Sequence, residues 1–302
     1  MTIHADARLA CRLEGIICSE WRQLAGIAGS LWPAKNPASM DVAGGVALWL
    51  GEGGLVNVAT GLAMDGPIGE AELRRVEDFY TRRGASPTLA TCPFADSTLF
   101  ALLGERRWRL TEFENVLALE LRAAPPAAAP LASSAAGAPD APCPTAYEDE
   151  EPSGASVLPP GVLPPGVEVR ACTGGERALW GRLAARGFSD ETEPGAAHLE
   201  FGDIMAAHVA NTLVLAWADG QPAGTGALAV DGGVAWLSGD TTLPEFRGRG
   251  IQQAIQRYRL GLARDAGCTL AVTEAIAGSG SQRNMERLGF RVVYPHLQFV
   301  KL

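Results

Sequence analysis

The stretch "TTLPEFRGRGIQQAIQRYRLGLARDAG", Thr241 to Gly267, decides how this chain is read. Ile251, Ala254, Ile255, Tyr258 and Leu262 recur at the three-and-four spacing of one buried helical face. Gly267 stands just past the last turn, where a left-handed cap belongs. In front of that helix the chain reads Arg-Gly-Arg-Gly. A helix start leaves backbone N–H groups unpaired and carries partial positive charge, which makes it an anion seat. Gly248 and Gly250 keep side chains out of that seat, while Arg247 and Arg249 offer forked donors suited to phosphate. A phosphate cradle and an ordinary glycine turn with two solvated arginines both remain open from this stretch alone.

Working outward, the second half of the chain reads as strand (Val167 to Cys172), helix (from Glu176), helix (Leu199 to His208), and then strands "TLVLAWADG", "PAGTGALAV" and "VAWLSGDTTL". After the glycine turn and its helix come strand "CTLAVTEAI", helix "SQRNMERLG" and two terminal strands. This order resembles the GNAT superfamily of acyl-CoA-dependent N-acetyltransferases. The resemblance rests on Arg-x-x-Gly-x in the turn after the fourth strand and on "RNMERLGF" near the end. It covers about Val167 to Leu302; Gln252 stands where the family has a small residue.

The first half echoes the second. "GEAELRRVEDFYTRRGASPTLATCPF" is a helix, a glycine stop and a strand, matching "GIQQAIQRYRLGLARDAGCTLAVTEAI". "LLGERRWRLTEFENVLALEL" ends the first half as "MERLGFRVVYPHLQFVKL" ends the second, each a helix end, a strand, a short turn and a last strand. Such a pattern implies duplication of one α/β unit. The first copy has "MDGPIGEAE" before its helix, with Asp65, Glu70 and Glu72 where a phosphate would need positive charge. Between the copies lies a proline-, alanine- and serine-rich segment carrying the acidic knot Glu148 to Glu151, read as a mobile linker. The expected organisation is therefore an α/β (layered α+β) protein with two GNAT-like mixed-sheet lobes in tandem. Residues 1–122 form a degenerate lobe, 123–165 a flexible Pro/Ala/acidic linker and 166–302 the catalytic N-acetyltransferase domain.

Composition limits the alternatives. A net charge of −9 over 302 residues argues against a surface for nucleic acid or anionic membrane. No apolar run is long enough to span a bilayer, and "MTIHADARLACRLEGIICSEW" has no signal-peptide core. Six cysteines without a CxxC pair read as reduced thiols, so a cytoplasmic monomer or homodimer is expected. Four scattered histidines form no metal motif, and His208 reads as structural.

The resemblance implies acetyl-CoA as acyl-donor cosubstrate. Its pantetheine arm would pair with Thr241, Thr242 and Leu243, and its pyrophosphate would rest on Arg247, Gly248, Arg249, Gly250, Ile251 and Gln252. Ser281 and Asn284 would face the arm near the thioester. The acceptor is a small-molecule amine, expected in the cleft between the lobes, where an acidic first lobe suits a cation. An ammonium of pKa about 10.4 must shed a proton before attack. Asp240 and Glu274 are the candidate bases, Asp240 equally readable as a strand-end turn residue. The family's usual tyrosine proton donor falls at Met285, which leaves Ser281 or Tyr294 to protonate the thiolate. Ser281 is also readable as a helix cap, and Tyr294 as strand packing. Two other classes stay open, a catalytically silent acyl-CoA sensor and a tandem scaffold whose first lobe binds a protein partner.

Overall fold

A computed structural model describes residues 3–121 and 163–302; nearly all of the expected linker lies outside the described residues. The first lobe comprises α1 (Ala7–Leu31), β1 (Ala38–Val42), β2 (Gly45–Trp49), β3 (Ala59–Thr60), α2 (Glu70–Thr81), β4 (Thr88–Thr91), α3 (Ser97–Glu105) and β5 (Trp108–Glu120). The second comprises β6 (Val167–Ala171), α4 (Arg177–Ser189), α5 (Ala196–Ala207), β7 (Thr212–Ala218), β8 (Gln221–Asp231) and β9 (Val234–Thr242). It continues through α6 (Ile251–Asp265), β10 (Leu270–Ile276) and α7 (Gly280–Arg287) to β11 (Arg291–Lys301). Elements of the two lobes correspond from β1 onward, so the duplicated pattern is visible in the fold.

The strands form one mixed sheet in the order β1-β2-β3-β4-β11-β5-β10-β9-β8-β7-β6. The lobes therefore do not close on themselves. The first lobe's last strand, β5, runs antiparallel to β10 of the second lobe, with Glu274 opposite Val116. The second lobe's last strand, β11, runs antiparallel to β4 of the first, with Leu297 opposite Thr91. Between them β5 and β11 pair along nearly their whole length, from Trp108–Lys301 to Ala118–Arg291. The two terminal strands and intervening turn expected in each lobe are instead one long strand apiece. Pro295 fits inside β11 because that position faces only Asn115 of β5, while β4 begins pairing at Leu297. Bulges between Val292 and Tyr294 and between Gln298 and Phe299 bend the strand.

The run "NVLAL" explains why β5 sits in the middle. Val116 and Ala118 pack with Leu13, Ile16 and Ile17 of α1 on one face, and Leu117 packs with Leu260, Met285 and Phe290 on the other. A strand buried on both faces loses the polar alternation of an exposed one. α1 is the second tie between the lobes. Asp6 caps it by accepting from Leu9 N–H at 2.7 Å, and Leu24, Ala25 and Ala28 pack against Trp180, Leu183, Ile204 and Met205 of the second lobe. A third tie is ionic. Lys301, at the end of β11, reaches Glu77 of α2 at 2.5 Å, and Arg106 holds the same carboxylate. Burial works against charge on Glu77, but the two cations keep its pKa down at about 2.

Because each closing strand is seated in the opposite lobe, cutting the covalent connection should not separate the halves. Cleavage at a protease site inserted after Gly137 is expected to leave both fragments co-eluting at the size of the intact chain. Two folded fragments eluting separately would contradict the exchange.

Candidate functional site

Strands β9 and β10 run parallel for three residue pairs, Val234 to Trp236 against Leu270 to Val272, and then part. Thr273 spans the fork, its hydroxyl donating to Leu237 O at 3.0 Å. Beyond it the second half of β9 pairs only with β8, through Thr241–Thr225 and Thr242–Gly224. That edge is no longer paired with β10, but it is only partly free: Thr242 O accepts from Arg247 Nε at 3.2 Å, and Leu243 is bonded through its N–H to Ala223 O and through its O to Phe246 N–H, each at 2.9 Å. The Thr241 and Thr225 hydroxyls share a hydrogen bond at 2.8 Å, which fixes the strand without using that edge.

A bulge makes the turn into this edge. Gly239 and Asp240 lie within the register shift between Thr225 and Ala227. Gly239 has φ +66°, and a Cβ there would meet the Trp180 ring at 3.0 Å, so both backbone angle and space require glycine. Arg259 of α6, with no exposed side-chain surface, fills the other side of the bulge. It donates to Ala227 O at 2.6 Å and Ser238 O at 2.9 Å, and it ion-pairs with Asp240. Burial raises the Asp240 pKa, while Arg259 and Gln256 pull against that rise. Asp240 is thus neither the turn residue nor a free carboxylate at the gap; it neutralises the guanidinium that secures the bulge.

The helix start after the fork is open. Gly250, at φ +74°, precedes α6 and no side chain caps it. A Cβ on Gly250 would meet only Pro164 at 3.3 Å, and one on Gly248 nothing within 4 Å. The free N–H groups and the cleared space fit a phosphate group. The two arginines are engaged elsewhere, Arg247 with Asp190 and Arg249 with Asp219 at 2.9 Å. These pairs are exposed, and such pairs are worth about 0–1 kcal/mol, so a phosphate can take over either guanidinium. Gln252 turns toward α7, donating to Ser281 Oγ at 3.2 Å and accepting from Asn284 Nδ2 at 2.6 Å. Those three expected binding residues therefore stand together beside the seat. The helix cap is Ser279, which accepts from Gln282 N–H at 3.1 Å, and not Ser281. Met285 is core, 1% exposed. At the equivalent helix start of the first lobe an acid stands in place of the arginines: Glu72 Oε2 accepts Gly69 N–H at 2.9 Å.

On the opposite face of the sheet from α6, a cavity of about 280 Å³ lies between the lobes. Trp236, Ser238 and Gly239 of β9 and Glu274 of β10 wall it at the fork, and Trp180 and Phe188 of α4 and Phe201 of α5 wall it from the side. The first lobe contributes Glu20, Trp21, Glu112, Phe113 and Glu114. Beneath the cavity His296 of β11 bridges Glu274, at 2.8 Å, and Glu14 of α1, at 3.3 Å. Burial opposes charge on His296, but Glu14 and Glu274 hold its pKa well above the ordinary value of 6.5. Glu114 faces His296 across β5 and β11. Desolvation, then repulsion from Glu274 and Glu112, raises its pKa to about 7 against the pull of His296. Tyr294 is buried and donates to Glu14 Oε1 at 3.0 Å, away from the seat. Glu14, Glu114 and His296 escaped the sequence reading. His296 and Glu114 sat in closing stretches read only for their pattern of strands and turn, and Glu14 in a stretch read only for charge. His208 is structural as expected, buried beside Glu20 at 3.4 Å.

Residues 180–290 match the model of the acetyltransferase (GNAT) family. Among solved structures, a GCN5-related N-acetyltransferase from Kribbella flavida aligns over 92% of this chain and 95% of its own, with TM-score 0.57 and 16% identity. A tandem GNAT protein from the clavulanic acid biosynthesis pathway aligns over 85% of this chain and 78% of its own, with TM-score 0.53 and 14% identity. At these identities the likeness is one of fold, and it includes the tandem arrangement. No curated protein matches the sequence. No described helix is long and apolar enough to cross a membrane, and no group of three or more candidate metal ligands occurs among the described residues.

Two expectations follow from the buried charges. Asp240→Asn leaves the Arg259 cation buried without its counterion, which costs about 3–5 kcal/mol. Urea unfolding should show that loss, whereas lost turnover at unchanged stability would restore Asp240 as a base. Glu114 and His296 both have raised folded pKa values, so stability falls as pH rises. The Glu114 part is lost between its ordinary 4.5 and about 7. The His296 part is complete below 6.5 and is lost as pH climbs through its higher folded pKa. Thermal melts should decline through both windows, and His296→Gln should flatten the alkaline one.

Proposed function

With a GNAT acetyltransferase domain matched at residues 180–290, we propose that the chain moves an acetyl group from acetyl-CoA to the amine of a small molecule. The observation that carries this is the uncapped start of α6 standing at the mouth of the fork between β9 and β10. The pyrophosphate would lie on the N–H groups of the turn from Arg247 to Gln252, with Arg247 and Arg249 changing partners to it. The pantetheine arm would lie beside Thr241 to Leu243, with the Arg247 side chain leaving Thr242 O as it turns to the phosphate. Its thioester end would then meet the interlobe cavity, where the acceptor enters from the opposite face of the sheet. The first lobe shapes that cavity and binds no coenzyme A of its own, since Glu72 occupies its helix start.

Ser281 is the group we assign to protonate the departing thiolate. It stands beside the seat, hydrogen-bonded to Gln252, whereas the Tyr294 hydroxyl is committed to Glu14 inside the core. A second reading, an acyl-CoA sensor without turnover, draws on Met285 being buried where the family's tyrosine would stand. Thiol release from acetyl-CoA across a panel of amines separates the two, since a sensor binds and releases nothing.

Calorimetry should find one acetyl-CoA per chain, and Gly250→Val should abolish binding with the fold retained on melting. Two sites, or unchanged affinity in the variant, would sink the assignment. Ser281→Ala should lower turnover by about 10²-fold or more, the low end of the range for a positioned proton donor, at unchanged acetyl-CoA affinity. Tyr294→Phe should instead cost about 0.5–1.5 kcal/mol of stability for its lost hydrogen bond and leave turnover nearly intact. Equal turnover in both variants would remove Ser281 from the chemistry.

A further inference from the structure

The interlobe cavity combines aromatic walls with a carboxylate that has no partner among the described residues. Trp21, Phe113, Trp180, Phe188, Phe201 and Trp236 supply most of its large side chains. Its volume of about 280 Å³ lies at the low end of ordinary small-molecule sites, roughly 300–1,000 Å³, so it holds a small molecule and not a protein side chain with its backbone. Four carboxylates line it, and three are already engaged or peripheral. Glu20 accepts from Asn211 at 2.6 Å, Glu274 is held by His296 at 2.8 Å, and Glu112 is exposed at the rim beside Gln298. Glu114 is half-buried, and no hydrogen bond reaches its carboxylate from the described residues. It stands opposite Ile276 of β10 and His296 of β11, at the end of β10 from which β9 has parted.

We infer that this cavity receives a primary monoamine with a compact, largely aromatic body, and that Glu114, delivered by the first lobe, holds its ammonium and takes its proton. The inference rests on the acetyltransferase reading above. An ammonium entering the cavity loses water and gains aromatic faces, which attract cations within about 6 Å. Desolvation also lowers the ammonium pKa toward that of a buried carboxylate. Glu114 is poised for the exchange, because its pKa of about 7 leaves it able to accept and then release a proton at neutral pH. The charged or titratable groups that face it are Glu112 on its own strand, Glu274 on β10, His296 on β11, Glu14 and Glu20 on α1 and His198 on α5.

The step balances as follows. Glu114 takes one proton from R–NH3⁺, leaving R–NH2 with its lone pair. That pair forms the C–N bond to the thioester carbonyl carbon, and the C–S bond breaks with its electrons going to sulfur. The second nitrogen proton ends on the thiolate, and Glu114 returns the first to solvent. The sum is R–NH3⁺ plus acetyl-CoA giving R–NH–acetyl, CoA-SH and one proton. A polyamine is a poor fit, because each further ammonium would lose water in the cavity while Glu20 and Glu274 are already held by Asn211 and His296.

The test uses the full chain with 2-phenylethylamine, neutral 2-phenylethanol and spermidine as probes. Calorimetry should show 2-phenylethylamine binding at least tenfold tighter than either of the others. Glu114→Gln should weaken that binding at least tenfold and lower kcat/KM at least a hundredfold at pH 7. It should also remove the limb of the pH profile near 7, while acetyl-CoA affinity and melting temperature hold or rise. Glu114→Asp, which keeps the carboxylate, should restore the limb at reduced kcat. Wild-type amine affinity and pH profile in Glu114→Gln, or spermidine preferred, would overturn the inference. Amine binding that depends on Glu114 without any thiol release would overturn only the acetyltransferase reading.

Discussion

The seating of β5 between β11 and β10 is the constraint on which everything else depends. That strand belongs by sequence to the first lobe, yet its hydrogen bonds go to the second on both edges. Its apolar run is covered on one face by α1 and on the other by the core around Leu260 and Met285. Backbone groups buried in such a position must be paired, so neither lobe can withdraw its closing strand without exposing the other. The exchange merges two copies of one unit into a single eleven-stranded sheet.

The functional asymmetry of the copies follows from that merger. The second lobe keeps the parts that need free backbone. These are the fork between β9 and β10, the bulge at Gly239–Asp240 secured by Arg259, and the uncapped start of α6. The first lobe places Glu72 at its corresponding helix start and lines one side of the cavity. What it contributes is side chains, carried on β5 and α1 to the back of the second lobe's fork. Glu14, Glu114, Glu274 and His296 come from four different elements and meet only because the strands are exchanged.

Much of this was legible in the residues, and the division follows locality. The α6 face, the Gly250 start and the order of β7 to β10 are encoded within windows of about ten residues and stand where the spacing placed them. The acids before the first lobe's helix were also visible, where arginines stand in the second. Pairing partners were not visible, since the run "NVLAL" says that a strand is buried but not which strands bury it. Proline lacks a donor and so argues locally against a continuous strand, and only the absence of a second neighbour at Pro295 lets β11 continue. The partner of Asp240 was hidden for the same reason. Its place beside the fork was right, but the Arg259 that neutralises it lies on another element. Ser281 stands beside the seat and Tyr294 does not, a distinction that needed the Glu14 hydrogen bond from the first lobe.

Hydrogen exchange followed by mass spectrometry tests the exchange of strands most directly. The account predicts that amides of β5 over Glu114 to Glu120 and of β10 over Leu270 to Ile276 open together, with one shared free energy close to that of global unfolding. The contradicting result is a β5 segment that exchanges with the first lobe's hairpin β1–β2 at lower cost while β10 stays protected.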